Sequence, residues 1–267
     1  IHPSDSVLSM GSAQGAKGGG GSSPATSPTK SSSDSSQSSP QVVIKSEETV
    51  TQEGEALANS RFKTAKEDVM EVYDKWAEAY EHDSLEKLGF ASPQACVDTF
   101  LEYCPPEGKD VLDVGAGTGL LAQMICKKGY KAKNFDGMDL SPKMLEHLVK
   151  KGIYNQVKAH DMMKYPWPFP SNTYDGLMCN GVLIYVDDPE CLDEFVRVMK
   201  PGGICVIMFR HDGYPDYKKK DEELRAAGKW ELVHKTKDMR NFNNMEFGDN
   251  NEDDVIFNQW VYRVLEN

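Results

Sequence analysis

Residues 111–119 decide the fold, and they read Val111-Leu112-Asp113-Val114-Gly115-Ala116-Gly117-Thr118-Gly119. A short apolar run ends here in a turn with three alternating glycines, and a helical pattern follows. Glycine lets the backbone turn tightly and lets a ligand approach without obstruction by a Cβ atom. The free N–H groups at the start of the following helix favour an anion. The stretch therefore predicts a ligand-binding turn between a strand and a helix.

Short apolar runs alternate with helical patterns along the rest of the chain. Five strands are predicted at residues 110–114, 135–139, 156–160, 174–179 and 203–210. The helices between them are predicted at about 119–128, 142–150 and 189–199, and the last two begin with the capping pairs Ser141-Pro142 and Asp188-Pro189. This alternation indicates right-handed crossovers and a parallel sheet covered by helices on both faces.

The end of the chain departs from this alternation. A helix is predicted at 215–227, followed by two strands at 230–237 and 255–264 with no helix between them. Two such strands pair antiparallel, with residues 238–254 as their connecting loop. We therefore expect an α/β, Rossmann-like, seven-stranded, mostly parallel sheet whose last strand is antiparallel.

The first part of the chain has a different composition. Residues 1–60 are dominated by Ser, Gly, Pro and Thr, which predicts a disordered tail. One apolar helical face begins near Lys66 and is formed by Val69, Val72, Tyr73, Trp76 and Tyr80. Ser92-Pro93 is typical of the cap of a second helix that runs to Tyr103. The predicted organisation is a tail over 1–60 and one folded domain over 61–267, with a helical lid at about 66–104.

Composition and charge exclude several classes of function. A net charge of -12 disfavours capture of nucleic acid or anionic membranes. The sequence has no apolar run long enough to span a bilayer. Its six cysteines form no C-x-x-C pair, so we expect free thiols and no metal site. These features predict a cytosolic or nuclear protein, which we expect to be a monomer.

The spacing of the glycines separates two classes of cofactor. Dinucleotide enzymes use G-x-G-x-x-G, whereas here Leu120 occupies the place of the last glycine. The pattern D-x-G-x-G-x-G instead resembles the first motif of class I S-adenosylmethionine-dependent methyltransferases. Tyr174-Asp175 and Lys200-Pro201-Gly202-Gly203 add to that resemblance, which covers about residues 62–267. A nicotinamide dehydrogenase is accordingly disfavoured.

Three acids follow three successive predicted strands and meet at one edge of the sheet, where open α/β folds bind ligands. The resemblance implies that Asp139 accepts the ribose hydroxyls and that Asp161 and Met162 meet the adenine. It also implies S-adenosylmethionine as cofactor. The candidate cofactor-binding residues are Tyr80, Asp113, Gly115, Ala116, Gly117, Gly119, Asp139, Leu140, Asp161, Met162 and Asn180.

The helix with Tyr73, Trp76 and Tyr80 resembles the lid of small-molecule methyltransferases. The whole chain resembles the methyltransferase-like proteins named after the Williams-Beuren syndrome region. The resemblance implies that a lid aromatic closes over the methionine end of the cofactor. The alternative, that these aromatics only form the packed face of a helix, is favoured for most of them.

A catalytic signature is missing from the sequence. Asn180-Gly181-Val182 differs from the Asn/Asp-Pro-Pro-Tyr/Phe motif of adenine and glutamine methyltransferases, which disfavours those substrates. His211 and Tyr185 are candidate bases, although a surface position is the more ordinary interpretation of both. The leading hypothesis is methyl transfer to an unidentified small molecule or protein side chain. The alternative is a cofactor-binding sensor without turnover.

Overall fold

The computed structural model describes residues 42–44, 66–104, 108–247 and 255–266. The chain separates into two units, residues 1–39 and 40–267, and every described residue lies in the second. The tail predicted over 1–60 lies outside the described residues except for β1, Val42–Ile44, a short strand that was not expected from the sequence. Its three residues are β-branched, which favours extended backbone.

Seven α-helices occur in the described part of the chain: α1 (Lys66–Trp76), α2 (Tyr80–His82), α3 (Ser92–Tyr103), α4 (Leu120–Lys127), α5 (Pro142–Lys150), α6 (Cys191–Val198) and α7 (Tyr214–Ala226). A π-helical turn, Asp83–Lys87, continues α2, and a 3₁₀ turn spans Leu183–Tyr185. The further strands are β2 (Asp110–Val114), β3 (Asn134–Asp139), β4 (Gln156–Ala159), β5 (Tyr174–Cys179), β6 (Met199–Arg210), β7 (Trp230–Lys235), β8 (Met239–Arg240), β9 (Met245–Phe247) and β10 (Ile256–Val264).

The main sheet has the strand order β4-β3-β2-β5-β6-β10-β7. Its first five strands are parallel, and β10 pairs antiparallel with both β6 and β7. The expected mostly parallel sheet with an antiparallel last strand is therefore confirmed. The two-residue β8 also pairs with β10, which makes eight strands instead of the expected seven.

Strand β2 is buried on both faces because helices cover the sheet on both sides. Leu112 packs into one cluster with Phe195 of α6, while Val111 packs into another with Phe100 of α3 and Ile125 of α4. Parallel strands covered on both faces are typically continuous apolar runs. The sheet thus holds the end of β2, and the glycine turn after it, in a fixed position.

Two of the expected helix caps differ from the structure. Ser141 caps α5 as expected, since its Oγ accepts from the Met144 N–H at 3.1 Å. Helix α3 already includes Ser92, and Ala91 precedes it without a side-chain cap. Asp188 does not cap α6 directly, because it accepts from the Glu190 N–H in a turn before the helix.

Three other expectations are corrected. Helix α1 ends at Trp76, and Tyr80 begins a separate short helix. Strand β6 starts at Met199 because a bulge in its pairing with β5 accommodates Pro201, which lacks an N–H group. The expected loop 238–254 contains β8 and β9.

All six cysteines are free thiols. Within the described residues, every helix is too short or too polar to cross a membrane.

Candidate functional site

The glycine turn between β2 and α4 has positive φ at Gly115 (69°), Gly117 (53°) and Gly119 (79°). The N–H groups of Gly115 and Ala116 donate to the Met138 carbonyl at 2.8 and 3.0 Å, which ties the turn to β3. A Cβ on Gly115 would lie 2.1 Å from Val182 Cγ2, whereas a Cβ on Gly117 would meet nothing within 4 Å. Gly115 is therefore required by packing, and Gly117 faces open space in the cleft.

Asp139 at the end of β3 supports this turn. One carboxylate oxygen accepts from the Gly117 N–H at 2.8 Å and the other from the Ser141 N–H at 2.8 Å. Burial raises the pKa of Asp139, and these backbone hydrogen bonds oppose that rise. A carboxylate has about four lone-pair positions, so acceptor capacity remains for the two hydroxyls of a ribose. The side chain fits the hydroxyl-binding role that the resemblance implies.

Asp113 lies behind the turn and is absent from the cleft lining. It is fully buried, one oxygen accepts from the Tyr154 hydroxyl at 2.7 Å, and the other has no partner in the described part of the chain. Burial raises the pKa of Asp113 to about 7. Ala116 and Gly119, two other candidate residues, are also absent from the lining.

An open cleft lies over the glycine turn. It brings together most of the candidate cofactor-binding residues: Tyr80, Gly115, Gly117, Asp139, Leu140, Asp161, Met162 and Asn180. Asp161 is buried and accepts from the Met163 N–H at 3.1 Å. The remaining wall contains apolar and aromatic side chains, including Met144, Met163 and Val186.

The two N-terminal helices form one side of this cleft through Val69, Met70, Tyr73 and Tyr80. Trp76 points away into a small apolar cluster, where its indole N–H donates to Asp83 at 2.9 Å. The aromatic face of this region is therefore divided between packing and the cleft. Trp76 packs, while Tyr73 and Tyr80 line the cleft.

Acidic side chains connect these helices to the residues around the glycine turn. Glu81 accepts from the Thr118 hydroxyl at 2.6 Å and from the Lys151 ammonium. Asp74 accepts from the Ser141 hydroxyl and, at 3.3 Å, from the Lys143 N–H. Neither acid was among the candidate residues, because Asp74 lies in α1 and Glu81 in α2, and only the folded chain brings both next to the turn.

The two candidate bases occupy different places. Tyr185 lines the cleft, and its ring centroid lies 6.0 Å from that of Tyr73 in an edge-on contact. Burial raises the pKa of Tyr185, and the Tyr73 hydrogen bond and the charge of Arg210 partly oppose that rise. His211 lies outside the cleft lining, with Nε2 2.8 Å from Asn258 Oδ1.

Comparison with solved structures defines the fold class. The chain is similar to the cyclase SpnF (18% identity, TM-score 0.56, covering 76% of this chain and 98% of SpnF). It is also similar to Haemonchus contortus phosphoethanolamine N-methyltransferase 2 in complex with phosphomonomethylethanolamine and S-adenosylhomocysteine (16% identity, TM-score 0.53, 75% and 59% covered). Both show the Rossmann-like fold of methyltransferases, and the cyclase shows that this fold alone does not determine the reaction.

Sequence comparison supplies the family. A family model described as "Methyltransferase domain" matches residues 112–207. Methyltransferase-like protein 27 of Homo sapiens is 31% identical over 169 residues, covering 61% of this chain and 68% of that protein. The chain therefore belongs to the class I S-adenosylmethionine-dependent methyltransferases, close to that human protein.

A second relative covers a shorter segment. The ubiquinone/menaquinone biosynthesis C-methyltransferase UbiE of Desulfotalea psychrophila is 35% identical over 108 residues, covering 39% of this chain and 42% of UbiE. The chain thus spans less than half of that relative's length.

Proposed function

We propose that this cleft binds S-adenosylmethionine and transfers its methyl group to a small-molecule acceptor. One observation carries the proposal: Gly117, Asp139 and Asp161 line the same cleft as Tyr73 and Tyr185. The first group has the chemistry of a cofactor site, and the second lies where an acceptor would meet the cofactor. The cleft therefore supports a transferase as well as a cofactor-binding protein.

The lining residues fit the parts of the cofactor. Asp139 offers the acceptor oxygens for ribose hydroxyls, and Leu140 and Met162 offer apolar contacts for an adenine ring. The turn at Gly115 and Gly117, followed by the N-terminus of α4, suits the methionine end with its carboxylate. Open space next to Gly117 is the position that a side chain would fill and a cofactor needs.

The bound cofactor supplies an electrophilic methyl group on a sulfonium that becomes a neutral leaving group. The chain's own task is to orient the acceptor and exclude water. Val69, Met70 and Tyr73 of α1 close one side of the cleft and would act as a lid. Tyr185 is the candidate base within the cleft.

The helix that covers one side of the cleft also limits the size of the acceptor. A cleft covered by a helix admits a small molecule more readily than a folded protein, although an extended side chain remains the alternative acceptor. The similarity to the ubiquinone/menaquinone C-methyltransferase covers only 39% of this chain, so it does not select a quinone as the acceptor. Monomeric state and cytosolic location remain predictions.

Thermal unfolding tests the proposal. S-adenosylmethionine and S-adenosylhomocysteine at a hundredfold excess over Kd should stabilise the protein by about 2.7 kcal/mol, which is roughly 5 to 11 °C for a domain of about 200 residues. NADH serves as the control ligand and should leave the melting curve unmoved. A protein that millimolar S-adenosylhomocysteine does not stabilise would contradict cofactor binding.

Turnover separates the enzyme from the sensor. Labelled donor is incubated with the protein and fractionated cell extract, and a labelled small molecule is the expected product. Label recovered only in proteins would overturn the small-molecule acceptor. Persistent absence of any labelled product, in a protein that binds S-adenosylhomocysteine, would favour the non-catalytic sensor.

A further inference from the structure

Three polar side chains meet directly behind the cleft. Gln259 of β10 is fully buried, Ser92 at the start of α3 is 2% exposed, and Asn180 follows β5 and lines the cleft. Gln259 Nε2 donates to Asn180 Oδ1 at 3.0 Å and to the Ser92 carbonyl at 3.3 Å. Asn180 Nδ2 in turn donates to Ser92 Oγ at 3.3 Å. Residues from three distant parts of the chain thus form one hydrogen-bonded relay.

The direction of every bond in this relay is fixed by its chemistry. The Ser92 carbonyl can only accept, so the amide nitrogen of Gln259 must face it. The same nitrogen then requires the oxygen of Asn180, which leaves the Asn180 nitrogen to face the Ser92 hydroxyl. The Asn180 amide therefore has one orientation, set by Gln259.

Asn180 is followed by a bend that shapes the cleft. Gly181 has a φ of 74° and lines the cleft, and the 3₁₀ turn Leu183–Tyr185 comes next. Val182 contacts the position of a Gly115 Cβ, so this bend also packs against the glycine turn. A change in the Asn180 side chain would displace the cleft wall that carries Tyr185.

We propose that Gln259 is a positioning residue for the cofactor cleft. It does not line the cleft, but it fixes Asn180 and through it the bend at Gly181. The inference rests on the proposed function, because its effect is measured on binding of S-adenosylhomocysteine. Loss of Gln259 should weaken that binding even where the fold remains stable.

If Gln259 had only a structural role, its replacement would lower stability and leave the affinity for S-adenosylhomocysteine unchanged. Gln259 Oε1 is buried without a partner in the described part of the chain, which costs stability. Replacement by methionine, an apolar side chain of similar size and shape, removes that orphan acceptor. Gln259→Met also removes the donor to Asn180 and to the Ser92 carbonyl, which lowers stability, so the loss of the orphan acceptor offsets only part of that cost while the Asn180 amide is released.

Calorimetry with S-adenosylhomocysteine on the full chain is the test, with Asn258→Ala as the matched control. Asn258 is the neighbouring residue of β10, is 1% exposed, and bonds to the Thr236 carbonyl and Asp238 instead of to the cleft. We expect a Kd about tenfold higher for Gln259→Met, since a buried hydrogen bond is of that order. Asn258→Ala should lower the melting temperature and leave Kd unchanged.

NMR spectra of protein labelled with ¹⁵N-asparagine supply a readout that does not depend on the stability of the variant. The Asn180 side-chain amide, assigned from its absence in Asn180→Ala, should shift in Gln259→Met and stay in place in Asn258→Ala. If Gln259→Met fails to fold, Ser92→Ala probes the same relay from its other end and should raise Kd about threefold.

The outcomes separate the two proposals. Unchanged Kd and an unchanged Asn180 signal in Gln259→Met would overturn the positioning role and leave the cofactor site intact. Equal loss of affinity in Gln259→Met and Asn258→Ala would also overturn it. A wild-type chain that does not bind S-adenosylhomocysteine would instead contradict the proposed function itself.

Discussion

Asp139 accepts a hydrogen bond from the backbone N–H of Gly117 at 2.8 Å, so the acid that ends β3 also holds the turn that follows β2. Its second oxygen accepts from the Ser141 N–H at the start of α5. One carboxylate therefore fixes both segments that would surround a bound nucleoside. The Asp139 carboxylate therefore holds the site in shape already in the ligand-free protein.

Asp139→Ala should weaken binding of S-adenosylhomocysteine by roughly 1 to 3 kcal/mol, because charged acceptors for the ribose and for the glycine turn are lost together. The melting temperature of the free protein should fall as well. Asp139→Asn keeps one acceptor oxygen and should lose less of both. Calorimetry and thermal unfolding measure the two effects, and unchanged affinity in a folded Asp139→Ala protein would remove Asp139 from the site.

The two glycines of the turn should respond differently to alanine. Gly115→Ala places a Cβ 2.1 Å from Val182 Cγ2 at a φ of 69°, so we expect a lower melting temperature and no cofactor binding. Gly117→Ala meets no atom and has only the cost of positive φ, about 1 to 2 kcal/mol. It should fold more stably than Gly115→Ala and still fail to respond to S-adenosylhomocysteine.

The matched control for this pair is Gly202→Ala. Gly202 also has positive φ (82°) and open space at the Cβ position, but it lies far along the chain in the first half of β6 and does not line the cleft. It should lose stability like Gly117→Ala and keep its response to the ligand. A full ligand response in Gly117→Ala would show that the turn does not contact the cofactor.

Short-range patterns in the sequence were sufficient to predict much of the sheet. Strand Asp110–Val114 and helix Pro142–Lys150 have the predicted bounds, because an apolar run before glycine and a Ser-Pro cap are short-range patterns. The start of β6 was missed because Lys200-Pro201-Gly202-Gly203 is typical of a turn. Pairing with β5 through a bulge overrides that tendency.

The contacts that complete the candidate site connect distant residues. Thr118 meets Glu81 across 37 positions, and Gln259 meets Asn180 across 79. Periodicity assigns a residue to a face but does not identify its partner on another element. The glycine turn was found from its own pattern and the other candidate cofactor residues through family resemblance, whereas Asp74, Glu81 and Gln259 required the packed structure.

Asp113 should make stability depend on pH. Burial raises its folded-state pKa to about 7 from the ordinary 3.8. Between these values the folded protein keeps a proton that the unfolded chain releases. The stability due to protonated Asp113 is thus complete below about pH 4 and is lost as pH rises through about 7, by at most roughly 1.4 kcal/mol per pH unit.

Asp113→Asn tests this dependence because an amide cannot ionise and its oxygen still accepts from Tyr154. Relative to wild type, the variant should gain stability as pH rises from 5 to 8. Urea unfolding at both pH values measures the difference, in which the other titrating groups largely cancel. Parallel pH profiles for the two proteins would contradict a raised pKa at Asp113.

Glu81 should control how fast the ligand leaves the cleft. It joins α2 to Thr118 of the glycine turn and to Lys151. The two charged side chains are mostly buried, with 33% of Glu81 and 14% of Lys151 exposed. Glu81→Gln removes the charge from this link, so the N-terminal helices should separate from the turn more easily. We expect dissociation of S-adenosylhomocysteine to become about three- to tenfold faster, the order of one charge-assisted hydrogen bond.

Stopped-flow tryptophan fluorescence measures that rate, and Glu71→Gln is the matched control. Glu71 pairs with Lys75 on the exposed face of α1, with 64% and 58% of their side chains exposed, and such surface pairs contribute little. Added salt should accelerate release from wild type and have less effect on Glu81→Gln, because the screened interaction is already missing. Equal dissociation rates for wild type and both variants would show that the N-terminal helices do not act as a lid.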